Sequence, residues 1–352
     1  MSDDQRTMLV SAVGEFCAKN IEPASALIEM EGIGADLVSK TGSQGFIGLQ
    51  FSEENGGSNL DSVTYLLMLK EFARFSPSVA LLIAVQNRVS NPLLSATEGG
   101  ADLLKAISSG RRTAGVALSS SSMKRESIGS LSLEKSSLTG VKNYVLSPSS
   151  ECIIAVTDDK PESIIVTKEK IQAVEYHALG FRGLRIGKMN FDRADYLMLQ
   201  RENGIQKMQQ VWESLDLDVA AIALGIADAS IQKALDYSKV RSTFGHLLKD
   251  YQPVAFSVSS IQEEVNHLTR ALNLSEDFDL AARKGLKIRA MDLAVKSSRQ
   301  SIQTHGGYGY LQDFGVEKFY RDSASLQAIF NDAYTDNMML ANQVYMEKSG
   351  YL

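Results

Sequence analysis

Cysteine and histidine are scarce in this sequence, and their scarcity excludes whole classes of site. The two cysteines, Cys17 and Cys152, lie far apart and form neither a CxxC pair nor a Cys/His cluster. This excludes a disulfide framework and a cysteine-based zinc site, and it favours two buried thiols without a chemical role. The four histidines have no metal-ligand spacing and are expected at the surface or in packing: His177, His246, His267 and His305.

Basic clusters, long apolar runs and prolines are also lacking. The composition is 44% apolar and 22% charged with six prolines, which indicates a folded globular protein rather than a disordered one. A formal charge of −6 without a clustered excess of Lys and Arg argues against a nucleic-acid partner. The N-terminal stretch is acidic, and no window reaches the ~18 apolar residues of a membrane span. We therefore expect a cytoplasmic protein with no membrane span.

The apolar pattern changes twice along the 352 residues, a length that exceeds the ~250–300 at which single cores stop growing. Apolar residues recur at helical spacing at both ends of the chain, and short β-rich runs separated by Gly, Ser and Asp lie between. The fold class is therefore mostly α with a small central β-domain. The predicted domains are an N-terminal helical domain (1–112), a middle β-domain (113–199) and a C-terminal helical bundle (200–352).

One apolar stripe at helical spacing opens the last domain. It predicts a single long helix that ends near Ser242, with the stripe made by Val211, Leu215, Val219, Ile222 and Ile226.

Two segments of this last domain combine charge, glycine and aromatic residues. The stretch "RSTFGHLLKDYQ" supplies Arg241, Phe244, Gly245 and Gln252. The stretch "QTHGGYGYLQDFGVEKFYRD" supplies Gln303, Gly306, Gly307, Gly309, Arg321 and Asp322. With the order helices, strands, helices, these segments resemble the acyl-CoA dehydrogenase family, whose Arg-x-x-Phe-Gly and Gln-x-x-Gly-Gly-x-Gly motifs they match.

Further likeness extends the resemblance over nearly the whole chain. The stretch "GLQFSEENGGSNLD" is similar to the family's Pro-Glu-x-x-Gly-Gly loop, with Ser52 where proline is usual, and "LGFRG" at 179–183 is similar to a segment of its β-domain. The resemblance implies an N-terminal helical bundle, a β-barrel-like middle domain and a C-terminal four-helix bundle.

The resemblance also implies FAD bound across a dimer interface, with the two motifs holding its pyrophosphate and adenosine end. The chemistry is suitable, because a guanidinium binds phosphate oxygens as a fork and glycines let backbone N–H groups approach an anion. His305, between Gln303 and Gly306, is expected near this cofactor.

The sequence departs from the family where the flavin ring is held. The usual Thr-Glu-Pro and Gly-Ser segment is replaced by "LSSSSMKRES", in which Ser119 and Ser120 are the remnants. The family's Trp-Ile-Thr strand aligns with "YVLSP", so Tyr144 stands for the Trp and Leu146 for the Thr. Ser147 is next, but on a regular strand it points to the opposite face. Ser119 and Ser147 are the candidate contacts to the ring.

The family's reaction needs a carboxylate to remove the proton α to a thioester carbonyl. Its usual position, after the Arg-Asp pair, falls on Asn331 or Asp332, depending on where an insertion is placed. A subset carries the base on the long helix in a Leu-Asp-x-Glu segment, which aligns without a gap on "SLDLDVAAIALG" and gives Asp218, with Val219 where the family has arginine. Asp218 ranks above Asp332.

Two functions are compatible with these sequence features. The first is an acyl-CoA dehydrogenase of fatty acid metabolism, a homodimer or homotetramer that oxidises an acyl-CoA thioester and passes electrons to an acceptor resembling electron-transfer flavoprotein. The second is a catalytically impaired homologue in a hetero-oligomer, which completes a flavin half-site for a related chain. The enzyme ranks first.

Overall fold

Helices occupy both ends of the chain and a sheet lies between them in sequence. The computed structural model describes residues 2–117, 129–134, 137–159, 163–169, 171–330 and 333–349. The predicted fold class, mostly α with a central β portion, is confirmed. No helix among these described residues is long and apolar enough to cross a membrane. The boundaries of the three predicted domains stay a prediction.

The helices before the sheet are α1 (Asp3–Asn20), α2 (Ser25–Glu31), α3 (Ala35–Ser43), α4 (Ser62–Phe75), α5 (Pro77–Val85), α6 (Asn91–Ser95) and α7 (Gly100–Ser108). A π-helical turn, Gln86–Ser90, joins α5 to α6. The strands are β1 (Ala114–Ala117), β2 (Leu131–Glu134), β3 (Ser137–Leu146), β4 (Cys152–Val156), β5 (Ile164–Thr167), β6 (Ala173–Glu175), β7 (Ile186–Ala194) and β8 (Tyr196–Gln200). After them come α8 (Gly204–Ser214), α9 (Asp216–Val240), the hairpin β9 (Ser242–Thr243) and β10 (His246–Leu247), α10 (Gln252–Asn273), α11 (Leu280–His305), α12 (Glu317–Phe330) and α13 (Ala333–Ser349).

The chain forms two compact units that do not follow sequence order. The bundle unit consists of the described residues within Met1–Ala18, Ser62–Pro77 and Asp216–Leu352. The sheet unit consists of those within Lys19–Asp61 and Ser78–Leu215.

In the sheet unit the strands run in the order β6-β7-β3-β1-β4-β5-β8, with β2 paired to β3. The β1–β4 pair is parallel and the other pairs are antiparallel. All residues of β4 and β5 are buried, which explains why "CIIAV" and "IIVT" are continuous apolar runs. One core cluster forms around Leu138, Ile153 and Phe191.

In the bundle unit α9 is the central helix. Every residue of its stretch 216–227 is buried, and apart from Asp216 and Asp218 this stretch is apolar on all sides, as expected for a buried helix. It packs against α4, α10, α11 and α12. The approach to α4 is close: a Cβ on Gly225 would lie 2.4 Å from the Lys70 carbonyl oxygen.

The prediction of one long helix here is wrong in one respect. The structure has two helices, α8 and α9, with Leu215 between them. The Leu215 amide donates to the Trp212 carbonyl oxygen at 3.1 Å, a three-residue turn that closes α8 before Asp216 starts the next helix. The five stripe residues are all buried, as predicted, and α9 ends two residues before Ser242.

Candidate functional site

A short hairpin follows α9 and presents an aromatic side chain to solvent. Arg241 precedes β9, and the β9–β10 turn consists of Phe244 and Gly245, with φ of 47° and 84°. Two consecutive left-handed residues match the twist of a two-residue hairpin. The Tyr251 hydroxyl donates to the Thr243 carbonyl oxygen at 2.7 Å and fixes this turn to the start of α10. Phe244 is 93% exposed at the tip, a position suited to contact with another molecule.

A glycine-rich turn follows α11. Gly306 has φ of 59°, and a Cβ on Gly306 or Gly307 would meet nothing within 4 Å, so the backbone is open to an approaching group at both residues. Gly309 differs, because its Cβ would lie 2.5 Å from the Ile302 carbonyl oxygen. Gly309 is therefore required for packing on α11, whatever else the turn binds.

The structure brings the hairpin and the glycine turn together within the bundle unit. The Arg241 guanidinium carbon lies 5.8 Å from the centre of the Tyr308 ring. One helical turn earlier on α9, Tyr237 stacks on His305 with ring centres 4.2 Å apart. A permanent cation thus lies beside an open glycine turn, in which the Gly306 N–H donates to the Gln303 carbonyl oxygen. A guanidinium beside backbone that an anion can approach closely is suited to a diphosphate.

His305 contributes no charge to this site at neutral pH. Burial lowers its pKa below the ordinary value, and the hydrogen bond between its Nδ1 and the Ser301 carbonyl oxygen at 2.8 Å opposes that shift only in part. The ring therefore acts as a flat packing surface between Tyr237 and the glycine turn. The position of His305 near a bound cofactor stays a prediction.

The two glutamines of the predicted site lie at helix ends. Gln252 is the first residue of α10, and Gln303 lies in the last turn of α11. Gln303 also lines a groove of about 610 Å³ between α10 and α11, together with Lys296 and Arg299. This groove extends from the glycine-turn end of α11.

Asp218, the first candidate base, lies in the first turn of α9 and is fully buried. The Tyr65 hydroxyl of α4 donates a hydrogen bond to its Oδ1. The carboxylate is therefore shielded from solvent and held by a neighbouring helix of the same unit. Asp332, the second candidate, lies outside the described residues, as does Asn331.

Sequence reasoning missed a group of four buried charges next to Asp218. Lys284 and Lys287 of α11 both pair with Asp216 of α9 and with Asp336 of α13. The two lysines are spaced i, i+3 on α11, and Leu286 and Ile288 flank Lys287. That spacing was the available signal, since both side chains face the same direction.

The candidate flavin-ring contacts fall in the sheet unit. Strand β3 ends at Leu146, and Ser147 follows with φ of 52°, so the expectation for a regular strand does not apply to Ser147. Its hydroxyl lies 2.9 Å from that of Ser150, and it lines a cavity of about 180 Å³ that also contains Arg111 and Arg112. Ser119 and Ser120 lie outside the described residues.

Metal and thiol chemistry find little support in the described part of the chain. No group of three or more His, Cys, Asp or Glu side chains there is arranged to hold a metal ion. Cys17 and Cys152 are free and buried. Burial raises the pKa of both thiols, that of Cys152 to about 12, so neither is a thiolate at neutral pH.

Comparisons with known proteins match both helical portions of the chain. Residues 3–101 match the model of the acyl-CoA dehydrogenase N-terminal domain and residues 203–330 that of the C-terminal domain. An acyl-CoA dehydrogenase of Bacillus subtilis is 26% identical, covering 92% of this chain and 93% of the relative. The caffeyl-CoA reductase-Etf complex subunit CarC of Acetobacterium woodii is 24% identical, covering 91% and 92%. The solved structure of a glutaryl-CoA dehydrogenase from Mycobacterium smegmatis in complex with FADH2 superposes with a TM-score of 0.87 at 14% identity, covering 98% of this chain and 95% of the other.

Proposed function

Because the chain belongs to the acyl-CoA dehydrogenase family, we propose that it is an FAD-dependent dehydrogenase of acyl-CoA thioesters. The observation that carries this proposal is the meeting of Arg241 with the glycine turn at Tyr308. Two segments more than sixty residues apart in sequence converge on one surface, and their groups are those that a diphosphate needs. The relative with bound FADH2 supports the same cofactor.

The residues of this surface fit the adenosine diphosphate end of FAD. Arg241 supplies a permanent positive charge, and the open backbone at Gly306 and Gly307 lets a phosphate group approach the turn closely. Phe244, exposed at the hairpin tip, supplies apolar contact area. Bound FAD provides the acceptor for the hydride that leaves the β-carbon of the thioester. Gln252 and Gln303 add amide groups at the two adjoining helix ends.

At the reacting end of the site, we assign removal of the substrate's α-proton to Asp218, with Asp332 as the alternative base. Asp218 lies in an apolar helix, and the Tyr65 hydroxyl holds its carboxylate in one orientation. A base must be both oriented and protected from water. The hydrogen bond from Tyr65 orients the carboxylate, and its burial protects it from water. Ser147 and Ser119 are assigned to the ring end of the cofactor.

The acceptor and the assembly follow from the same family membership. We assign an acceptor resembling electron-transfer flavoprotein, supported by the relative named as a subunit of a reductase-Etf complex. We further assign a homodimer or homotetramer in the cytoplasm, with the cofactor surface of one subunit serving its neighbour. A role in fatty acid metabolism belongs to the same proposal.

A second candidate function is a partner subunit that completes a flavin half-site for another chain. The burial of Asp218 and its hydrogen bond to Tyr65 favour it, because a substrate must displace that contact to reach the carboxylate. Leu146, fully buried where the family has a hydroxyl donor, also favours it. The cofactor surface serves either function.

Titration of purified protein with FAD tests the cofactor surface. Replacing Arg241 with Ala removes a charge-assisted contact worth about 1.5–3 kcal/mol, so FAD affinity is expected to fall roughly ten- to hundredfold. Arg289→Ala is the matched control, since Arg289 is an exposed arginine of α11 outside this surface. Unchanged affinity in Arg241→Ala, or equal losses in both variants, contradicts the assignment.

A further inference from the structure

Four charged side chains form a closed ring inside the bundle unit, here called the ion quartet: Lys284, Lys287, Asp216 and Asp336. Lys284 lies 3.3 Å from Asp216 Oδ2 and 2.8 Å from Asp336 Oδ1. Lys287 lies 2.7 Å from Asp216 Oδ1 and 2.6 Å from Asp336 Oδ2. All four side chains are at most 6% exposed. Each lysine therefore pairs with both aspartates, and the ring is electrically neutral.

The quartet is stable as long as its lysines and aspartates balance in number. Burial alone lowers the pKa of Lys284, but its hydrogen bond to Asp336 and the nearby carboxylates raise that pKa above the ordinary value. Burial alone raises the pKa of Asp336, and its hydrogen bonds to Lys284 and Lys287 lower that pKa overall. Loss of one aspartate leaves two buried lysines with one counter-charge, which is strongly unfavourable.

Asp336 anchors the C-terminal helix through its ion pairs with Lys284 and Lys287. Among the α13 side chains that are described, Asp336 alone is buried, while apolar residues such as Met338, Val344 and Tyr345 are exposed. Gln343 makes a separate contact at the surface, donating to Asp279 Oδ2 at 3.0 Å. Among the described side chains of α13, the most deeply buried one is thus charged, and Met339 and Leu340 are half-buried.

The other aspartate of the quartet lies in the same helical turn as Asp218. Both oxygens of Asp216 are engaged by lysines of α11, and two residues later Asp218 accepts the hydrogen bond from Tyr65 of α4. The first turn of α9 is therefore held from two sides within the bundle unit. Leu217 alone separates Asp216 from Asp218 along the backbone.

We propose that Lys284, Lys287 and Asp336 are positioning residues: α13, docked through Asp336, fixes the first turn of α9 and so the direction of the Asp218 carboxylate. The functional part of this proposal depends on Asp218 being the base. The mechanical part, coupling of α13 to the turn at Asp216, does not.

Hydrogen exchange of the intact chain tests the coupling without any substrate. In Asp336→Asn the backbone amides of 216–224 are expected to exchange at least about tenfold faster than in the wild type, because the turn loses its balanced anchor. Gln343→Ala, which removes the surface contact of α13 with Asp279, is the control and is expected to leave 216–224 protected. Faster exchange confined to α13 in Asp336→Asn overturns the proposal.

A charge-balanced variant guards against misfolding of the single variant. Lys287→Met with Asp336→Leu removes one lysine and one aspartate together and leaves the Lys284–Asp216 pair, so it is expected to fold. Exchange at 216–224 is expected to lie above that of the wild type, since Asp216 keeps one of its two anchors. Wild-type protection in this variant overturns the proposal.

Kinetics then separate positioning from plain stability. With FAD bound, Asp336→Asn is expected to slow anaerobic flavin bleaching by an acyl-CoA thioester roughly tenfold or more, with thioester and FAD affinities unchanged and with recovery in Asp336→Glu. Equal rates in Asp336→Asn and wild type overturn the positioning role. If no thioester bleaches the flavin of the wild type, the proposed dehydrogenase function is contradicted. The hydrogen-exchange result still decides whether α13 is coupled to the turn at Asp216.

Discussion

Removal of one oxygen atom, in Tyr65→Phe, isolates the buried hydrogen bond to Asp218. The Tyr65 side chain is fully buried and its hydroxyl donates to Asp218 Oδ1. Phenylalanine keeps the ring, so the change leaves almost no cavity and the lost contact dominates. A hydrogen bond to a charged group contributes about 1.5–3 kcal/mol, and the carboxylate left behind stays buried. We expect the free energy of unfolding to fall by about 2 kcal/mol.

Denaturant unfolding near neutral pH measures this loss. Tyr320→Phe is the control, because Tyr320 is 37% exposed and its replacement is expected to change the unfolding free energy by less than about 0.5 kcal/mol. A double-mutant cycle with Asp218→Asn is expected to give a coupling of at least about 1 kcal/mol between the two side chains. A Tyr65→Phe loss within about 0.5 kcal/mol of the control, or additive losses in the cycle, refutes the reasoning.

Two further predictions concern the glycine turn and a buried ion pair of the sheet unit. Gly309→Ala is expected to destabilise the fold by about 1–3 kcal/mol, because its Cβ would lie 2.5 Å from a carbonyl oxygen of α11. Gly307→Ala is expected to fold normally and to weaken FAD binding. Thermal unfolding and FAD titration of both variants check this, and equal unfolding temperatures would contradict it. In the sheet unit, Lys142→Met removes the 3.2 Å ion pair between the buried Lys142 and Asp158 and is expected to cost about 3 kcal/mol in denaturant unfolding. A loss below about 1 kcal/mol would show that this pair contributes little to stability.

The sequence predicts the fold class well because its periodicities are strong. Buried runs such as those of β4 and β5 carry a clear strand signal, and the stripe from Val211 to Ile226 marks buried helix. The apolar pattern does not predict the break between α8 and α9 at Leu215, because the apolar spacing continues unchanged across it. Periodicity reports which face is buried, and it is insensitive to a single turn that ends one helix and starts another.

The sequence predicts one part of the candidate site and not another. Arg241 and the glycine turn were identified because motif spacing reports them directly, and the structure brings them within 5.8 Å. The ion quartet was not predicted, since Asp216 and Asp336 are far apart in sequence and only tertiary packing pairs them with the lysines of α11. The hydrogen bond between Tyr65 and Asp218 is likewise a contact between distant helices of one unit.

Anaerobic addition of acyl-CoA thioesters of graded chain length to the FAD-loaded protein, followed at the flavin absorption bands, tests the central claim most directly. At least one thioester is expected to bleach the flavin. Asp218→Asn is expected to keep FAD and thioester bound but to lose bleaching, and Asp332→Asn is expected to have the milder effect. The inverse ranking would move the base to Asp332. A wild-type protein that binds FAD and is bleached by no thioester of any length would contradict the dehydrogenase assignment and leave the partner-subunit function in its place.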